Sequence, residues 1–95
     1  MEISTTLKAY VAPDVLVQEL EGEAVLLNVK NGQYYGLDTV GTRMWTVLTS
    51  SGSLQESCGT LLAEYDVDEN RLKSDVGRLV ENLVEHGLVE IRDKQ

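Results

Sequence analysis

Lys30-Asn31-Gly32-Gln33 stands between two short apolar runs, and this break constrains the fold more than any other feature of the chain. Asn and Gly both tolerate positive φ, so Asn-Gly between apolar runs is the strongest short-range hairpin signal. The flanking runs, Ala24 to Val29 and Tyr34 to Leu37, are therefore expected to pair as antiparallel strands. Val15 to Leu20 comes before them across Glu21-Gly22 and completes a three-stranded meander. Such a start contradicts an all-helical bundle. It also argues against an acyl carrier protein, whose helix opens on Asp-Ser-Leu; here Ser53-Leu54 follows Gly52.

The hydrophobic period lengthens after Asp38. Val40, Met44, Val47 and Leu48 share one helical face, with Trp45 beside them and Asp38 or Thr39 as cap. Ser50-Ser51-Gly52 ends that helix. Ser53-Leu54-Gln55-Glu56 is a capping box, and its helix aligns Leu54, Cys58, Leu61, Leu62 and Tyr65. Asp68 caps a third helix with a stripe of Leu72, Val76, Leu79, Val80 and Leu83. Gly87 fits the residue just past its end. Leu88 to Ile91 suits a brief last strand. Residues 1–12 are weakly patterned and read as a lead-in strand, with Leu7, Tyr10 and Val11, or as a flexible start, closed by Pro13. The expected fold class is α+β, a three-stranded antiparallel sheet followed by three helices.

Ninety-five residues fit one domain, taken as 1–95. The formal net charge is −8, a field that repels nucleic acid, since phosphate binding depends on Lys and Arg. The acids cluster at Asp14, Glu19, Glu21 and Glu23, and again at Glu56, Glu64, Asp66, Asp68 and Glu69. They make either a solvated surface or a field that steers a basic peptide. Cys58 is the only cysteine, so no internal disulfide forms. The start, Met1-Glu2-Ile3-Ser4-Thr5, lacks the basic and apolar parts of a signal peptide, and no apolar run spans a bilayer. The expectation is a cytoplasmic protein without membrane contact.

Catalytic chemistry finds little to work with. One Cys and one His make no metal cluster, and Asp66-Val67-Asp68-Glu69 reads as a cap and a solvated loop. Cys58 lies on an apolar stripe, as a small buried hydrophobe would. His86, near a helix end, has no nucleophile to serve. Gly32, Gly36 and Gly41 match neither nucleotide fingerprint. No enzyme activity, metal or cofactor is expected. Residues 79–91 do look like a helix running into the wing of a DNA reader. Between Asp68 and His86, however, five acids (Asp68, Glu69, Asp75, Glu81, Glu85) outnumber three bases (Arg71, Lys73, Arg78), which disfavours DNA.

The third strand is short and aromatic and contains Gly36, and glycine within a strand often marks close approach by another backbone. As an edge it is a template for an added peptide strand or for a second copy of the chain. The plainer account of the residues alone is that Tyr34 and Tyr35 pack the sheet on the helices.

Residues 25–48, from Val25-Leu26-Leu27-Asn28 through Gly32-Gln33-Tyr34-Tyr35-Gly36-Leu37-Asp38 to Val40-Gly41-Thr42-Arg43-Met44-Trp45, resemble the PqqD-like proteins, the precursor-peptide recognition elements of ribosomally made, modified peptides. Tyr65-Asp66-Val67-Asp68 and Gly87-Leu88-Val89 extend the resemblance over residues 13–91. It implies a winged-helix-like fold and a leader peptide docked antiparallel on the third strand, in a groove walled by the third helix. Carried onto this chain, the strand is Gln33, Tyr34, Tyr35, Gly36 and Leu37. The wall is Leu72, Asp75, Val76, Leu79, Val80 and Leu83. Alternation puts Tyr34 and Gly36 on one face and Tyr35 and Leu37 on the other, with Tyr35 and Leu37 expected inward and Tyr34 more available to a ligand. The implied role is non-catalytic delivery of the precursor to maturation enzymes. Of two free-standing branches, the acid-rich character and the Gly-x-Tyr-Tyr-x-Leu-Asp wording favour the lasso-peptide type, which serves a leader peptidase and cyclase. The other is the PqqD type, which serves a radical enzyme.

Overall fold

Val15–Leu20 (β2) and Glu23–Asn28 (β3) pair antiparallel, from Val15 opposite Asn28 to Leu20 opposite Glu23, leaving only Glu21 and Gly22 to reverse the chain. Both adopt positive φ, 55° and 82°, which gives the turn the twist that a two-residue hairpin requires. The tight turn is thus at Glu21-Gly22. Asn31-Gly32 lies instead in a wider loop before Tyr34–Gly36 (β4), where Gly32 alone has positive φ, at 76°. Asn28 explains the difference. Its buried side chain accepts from the Lys30 N–H at 2.9 Å and donates to the Gly87 carbonyl at 2.7 Å, so the loop is organised around it. β3 starts and ends one residue earlier than expected. β4 pairs with β3 from Leu27 opposite Tyr34 to Val25 opposite Gly36. Although Leu37 is outside the strand proper, its N–H still donates to the Ala24 carbonyl at 2.8 Å.

The structure, a computed structural model, describes residues 7–93. The part of the expected lead-in on residues 1–6 lies outside them. Within them, Leu7–Val11 (β1) pairs antiparallel with Val89–Asp93 (β5) in a two-stranded sheet apart from the β2-β3-β4 sheet.

Three helices run between the sheets, each opened by the residue its sequence marks. Asp38 caps Thr39–Ser50 (α1), accepting from the Gly41 N–H at 2.7 Å. Ser53 caps Leu54–Glu64 (α2), and Asp68 caps Glu69–Glu85 (α3), each accepting at 3.1 Å from the residue three further on. α3 closes with Gly87 at φ 71°, the Gly87 N–H on the Val84 carbonyl and the Leu88 N–H on that of Leu83. Leu88 and Leu83 also pack together, which completes a Schellman ending. Val40 departs from the expected helix face: it is exposed in the first turn of α1.

The core has two parts. One gathers Met44, Val47 and Leu48 of α1, Leu54, Cys58 and Leu61 of α2, Leu72, Val76 and Val80 of α3, and Ala9 of β1. The other joins Ala24, Leu26 and Leu37 to Trp45, Leu83, Leu88 and Val89. Leu79 and Ile91 pack against both. Arg43 ties α1 to the end of α2, its Nε donating to Glu64 at 2.8 Å. That hydrogen bond holds the Glu64 carboxyl below the usual carboxylate range.

Candidate functional site

Among the described residues β4 has a strand on one side only. Antiparallel pairing alternates the direction of backbone groups, so the register decides what the open side offers. The Asn28 N–H donates to the Gln33 carbonyl at 2.8 Å, and the Leu37 N–H donates to Ala24. Gln33, Tyr35 and Leu37 therefore turn their polar backbone toward β3. Tyr34 and Gly36 turn theirs outward, forming a short ladder with no partner strand among the described residues. Among the described residues nothing demands glycine at position 36: an added Cβ would meet no atom within 4 Å.

The side chains divide as alternation requires. Tyr34 is exposed, and Leu37 is buried against Trp45 and Leu83. Tyr35 points inward, where its ring meets His86 edge-on at 5.1 Å and its hydroxyl accepts from Asn82 Nδ2 at 3.4 Å. His86 is fixed in turn, with Nδ1 2.8 Å from the Asn82 carbonyl oxygen. The C-terminal half of α3 thus lies alongside β4.

The expected helix wall separates into two stripes. Leu72, Val76 and Val80 face α1, α2 and β1, and Leu83 lies under the sheet; all four are at most 3% exposed. They build the core and are closed to solvent. Leu79 is half-buried at the margin, and Asp75, half-buried, forms an ion pair with Arg78 at 2.5 Å. Asp75 and Leu79 share their row of the helix with Asn82 and His86, by the spacing of three and four residues. Asn82 and His86 are absent from the expected wall. The row through Leu79 could have identified them, but both are polar and lie outside the apolar stripe.

The described residues gather no three His, Cys, Asp or Glu side chains into a metal-binding group. Burial pushes the Cys58 thiol up, away from the reactive thiolate. No helix among the described residues is long and apolar enough to cross a membrane.

Comparison with known proteins places this geometry. The family model described as coenzyme PQQ synthesis protein D (PqqD) matches residues 23–89, from the first residue of β3 to the first of β5. This chain belongs to the PqqD family. The matched span includes β4 and all of α3. A solved structure of TbiB1 in complex with the TbiA(beta) leader peptide is similar at 31% identity and a TM-score of 0.79, over 85% of this chain and 94% of that one. A lasso peptide synthetase B1 complexed with its leader peptide has the same fold, with 24% identity and a TM-score of 0.78 over 87% of this chain and 98% of that one. No curated protein matches significantly. Fold comparison thus bears out the α+β class and the PqqD-like resemblance.

Proposed function

We propose that this chain is a single-domain, non-catalytic module that binds the leader segment of a ribosomal precursor peptide and delivers it to maturation enzymes, the leader peptidase and cyclase of a lasso-peptide pathway. The observation that carries the reading is the open edge of β4 in a fold whose 31%-identical relative was solved with a leader peptide. The leader adds antiparallel to Gln33, Tyr34, Tyr35, Gly36 and Leu37, bonding the outward groups of Tyr34 and Gly36. Its inward side chains meet Leu79, Asp75 and Asn82, while Leu72, Val76, Val80 and Leu83 support that surface from below. Delivery works by effective concentration, since a tethered core peptide meets the enzyme intramolecularly. The buried, proton-holding Cys58 supports a role without covalent chemistry. A lone, unpaired cysteine fits a reducing cytoplasm. A dimer through β4 would use the same backbone groups, so leader binding and such pairing exclude each other.

The test is a fluorescence-polarisation titration with labelled leader peptide. The expected Kd lies between about 10 nM and 10 µM, the range for small peptide interfaces. Gly36→Pro removes the outward N–H without removing any bond of the free protein. It should weaken binding at least about tenfold, the loss of one or two backbone bonds. Unchanged affinity in the folded variant would sink strand addition at β4.

A further inference from the structure

Among the described residues the sheet has a second open edge, β2, on the side away from β4. The Val29 N–H donates to the Asp14 carbonyl at 2.9 Å, and by the same alternation Val17 and Glu19 turn their backbone groups away from β3. Five of the six β2 residues are exposed, although four of the six are Val or Leu. Leu16 is 60% exposed and Leu20 74%, values that leave most of two large apolar side chains in water. Leu16 stands opposite Leu27, and Val25 is exposed beside them on the same outer face. A long apolar edge strand is a pairing hazard that folded proteins normally cover or blunt with charge. Here the charge is at the end of the hairpin, where Glu19, Glu21 and Glu23 surround the turn.

We propose that the outer face and open edge of the β2–β3 hairpin form a second docking surface, for a protein partner carrying an apolar strip bordered by lysine and arginine. The three glutamates select that partner: a second copy would bring its own acids and its own net charge of −8 to the same place. The proposal rests on the delivery reading for the partner's identity, which is the maturation enzyme. A carrier that holds its cargo at β4 and its enzyme at β2 engages both at once, since the edges lie on opposite sides of β3.

The probe is a purified leader peptidase of the lasso-peptide pathway proposed above, titrated by calorimetry against the wild type and a Leu16→Arg/Leu20→Arg double variant. Both side chains are exposed, so the variant keeps its core. Peptidase affinity should fall at least about tenfold, as for loss of an apolar anchor, while leader affinity stays within about twofold. Glu19→Lys/Glu23→Lys should weaken peptidase binding as well and flatten its dependence on salt. Unaltered peptidase affinity in the leucine variant would overturn the proposal, as would no binding by the wild type. So would a concentration-dependent wild-type dimer, seen by ultracentrifugation, that the leucine variant abolishes. Failure of the wild type to bind leader would strike the leader reading alone, and the peptidase titration would still decide this surface.

Discussion

Gly87 carries two demands at once. Its φ of 71° ends α3, and its carbonyl accepts from Asn28, the side chain that organises the β3–β4 loop. An added Cβ would lie 2.8 Å from Asn31 Nδ2 and 3.3 Å from Asn28 Nδ2. Asn31 is exposed and can give way, but the left-handed backbone remains costly for any residue with a Cβ, by about 1–2 kcal/mol. Gly87→Ala should therefore lower the melting temperature by roughly 4–15 °C in a domain of this size, read by circular dichroism. Gly36 is the opposite case, a glycine with open space around it and no positive φ. With no contact of the free chain at stake there, substitution of Gly36 tests the proposed binding, and Gly87 tests folding.

At the scale of elements, the β2–β3 turn holds the one non-glycine residue at positive φ among those described, Glu21. Asn tolerates that region far better and is favoured in such turns. Glu21→Asn should stabilise the protein by up to about 1 kcal/mol, a gain of several degrees in melting temperature. A neutral or lower melting temperature would mean that the carboxylate is held by something the turn geometry does not explain. α3 shows how one helix serves two purposes. Its apolar stripe closes the core, and the next row, Asp75, Leu79, Asn82 and His86, borders the open strand. Helix periodicity in the sequence marks the first stripe strongly because it is apolar. The second is mixed in character, so only the contact of Tyr35 with Asn82 and His86 identifies it.

For the whole molecule, the net charge of −8 surrounds the open β4 edge and would favour a basic peptide as the proposed leader. The attraction is long-ranged and screened by salt, with a Debye length of about 30 Å at 0.01 M and about 8 Å at 0.15 M. Stopped-flow association of a basic leader should slow at least about threefold across that range, with dissociation changing less. An association rate indifferent to salt would make the acids a solvated surface and nothing more. The two open edges, β4 and β2, give the molecule its layout: one short strand beside the end of α3, and one longer, largely exposed apolar strand on the far side of β3.

Much of this protein was determined locally. The three caps, the Gly87 ending, the meander and the helix stripes follow from residues within a few positions of one another, because hydrogen bonds to orphan backbone groups and the 2.0 and 3.6 periods are short-range effects. That Tyr34 and Leu37 face opposite sides of the sheet follows from alternation. Tertiary structure decided the rest. Asn31-Gly32 does not form the tight turn, because Asn28 bonds across to Gly87, 59 positions away. β1 and β5 pair from opposite ends of the described chain, and no local pattern encodes a partner so distant. The burial of Leu72, Val76, Val80 and Leu83, and with it the placement of the Asp75, Leu79, Asn82 and His86 row toward β4, depends on which helix faces which sheet. A sequence shows that a residue is apolar; only packing determines whether water, core or a ligand receives it.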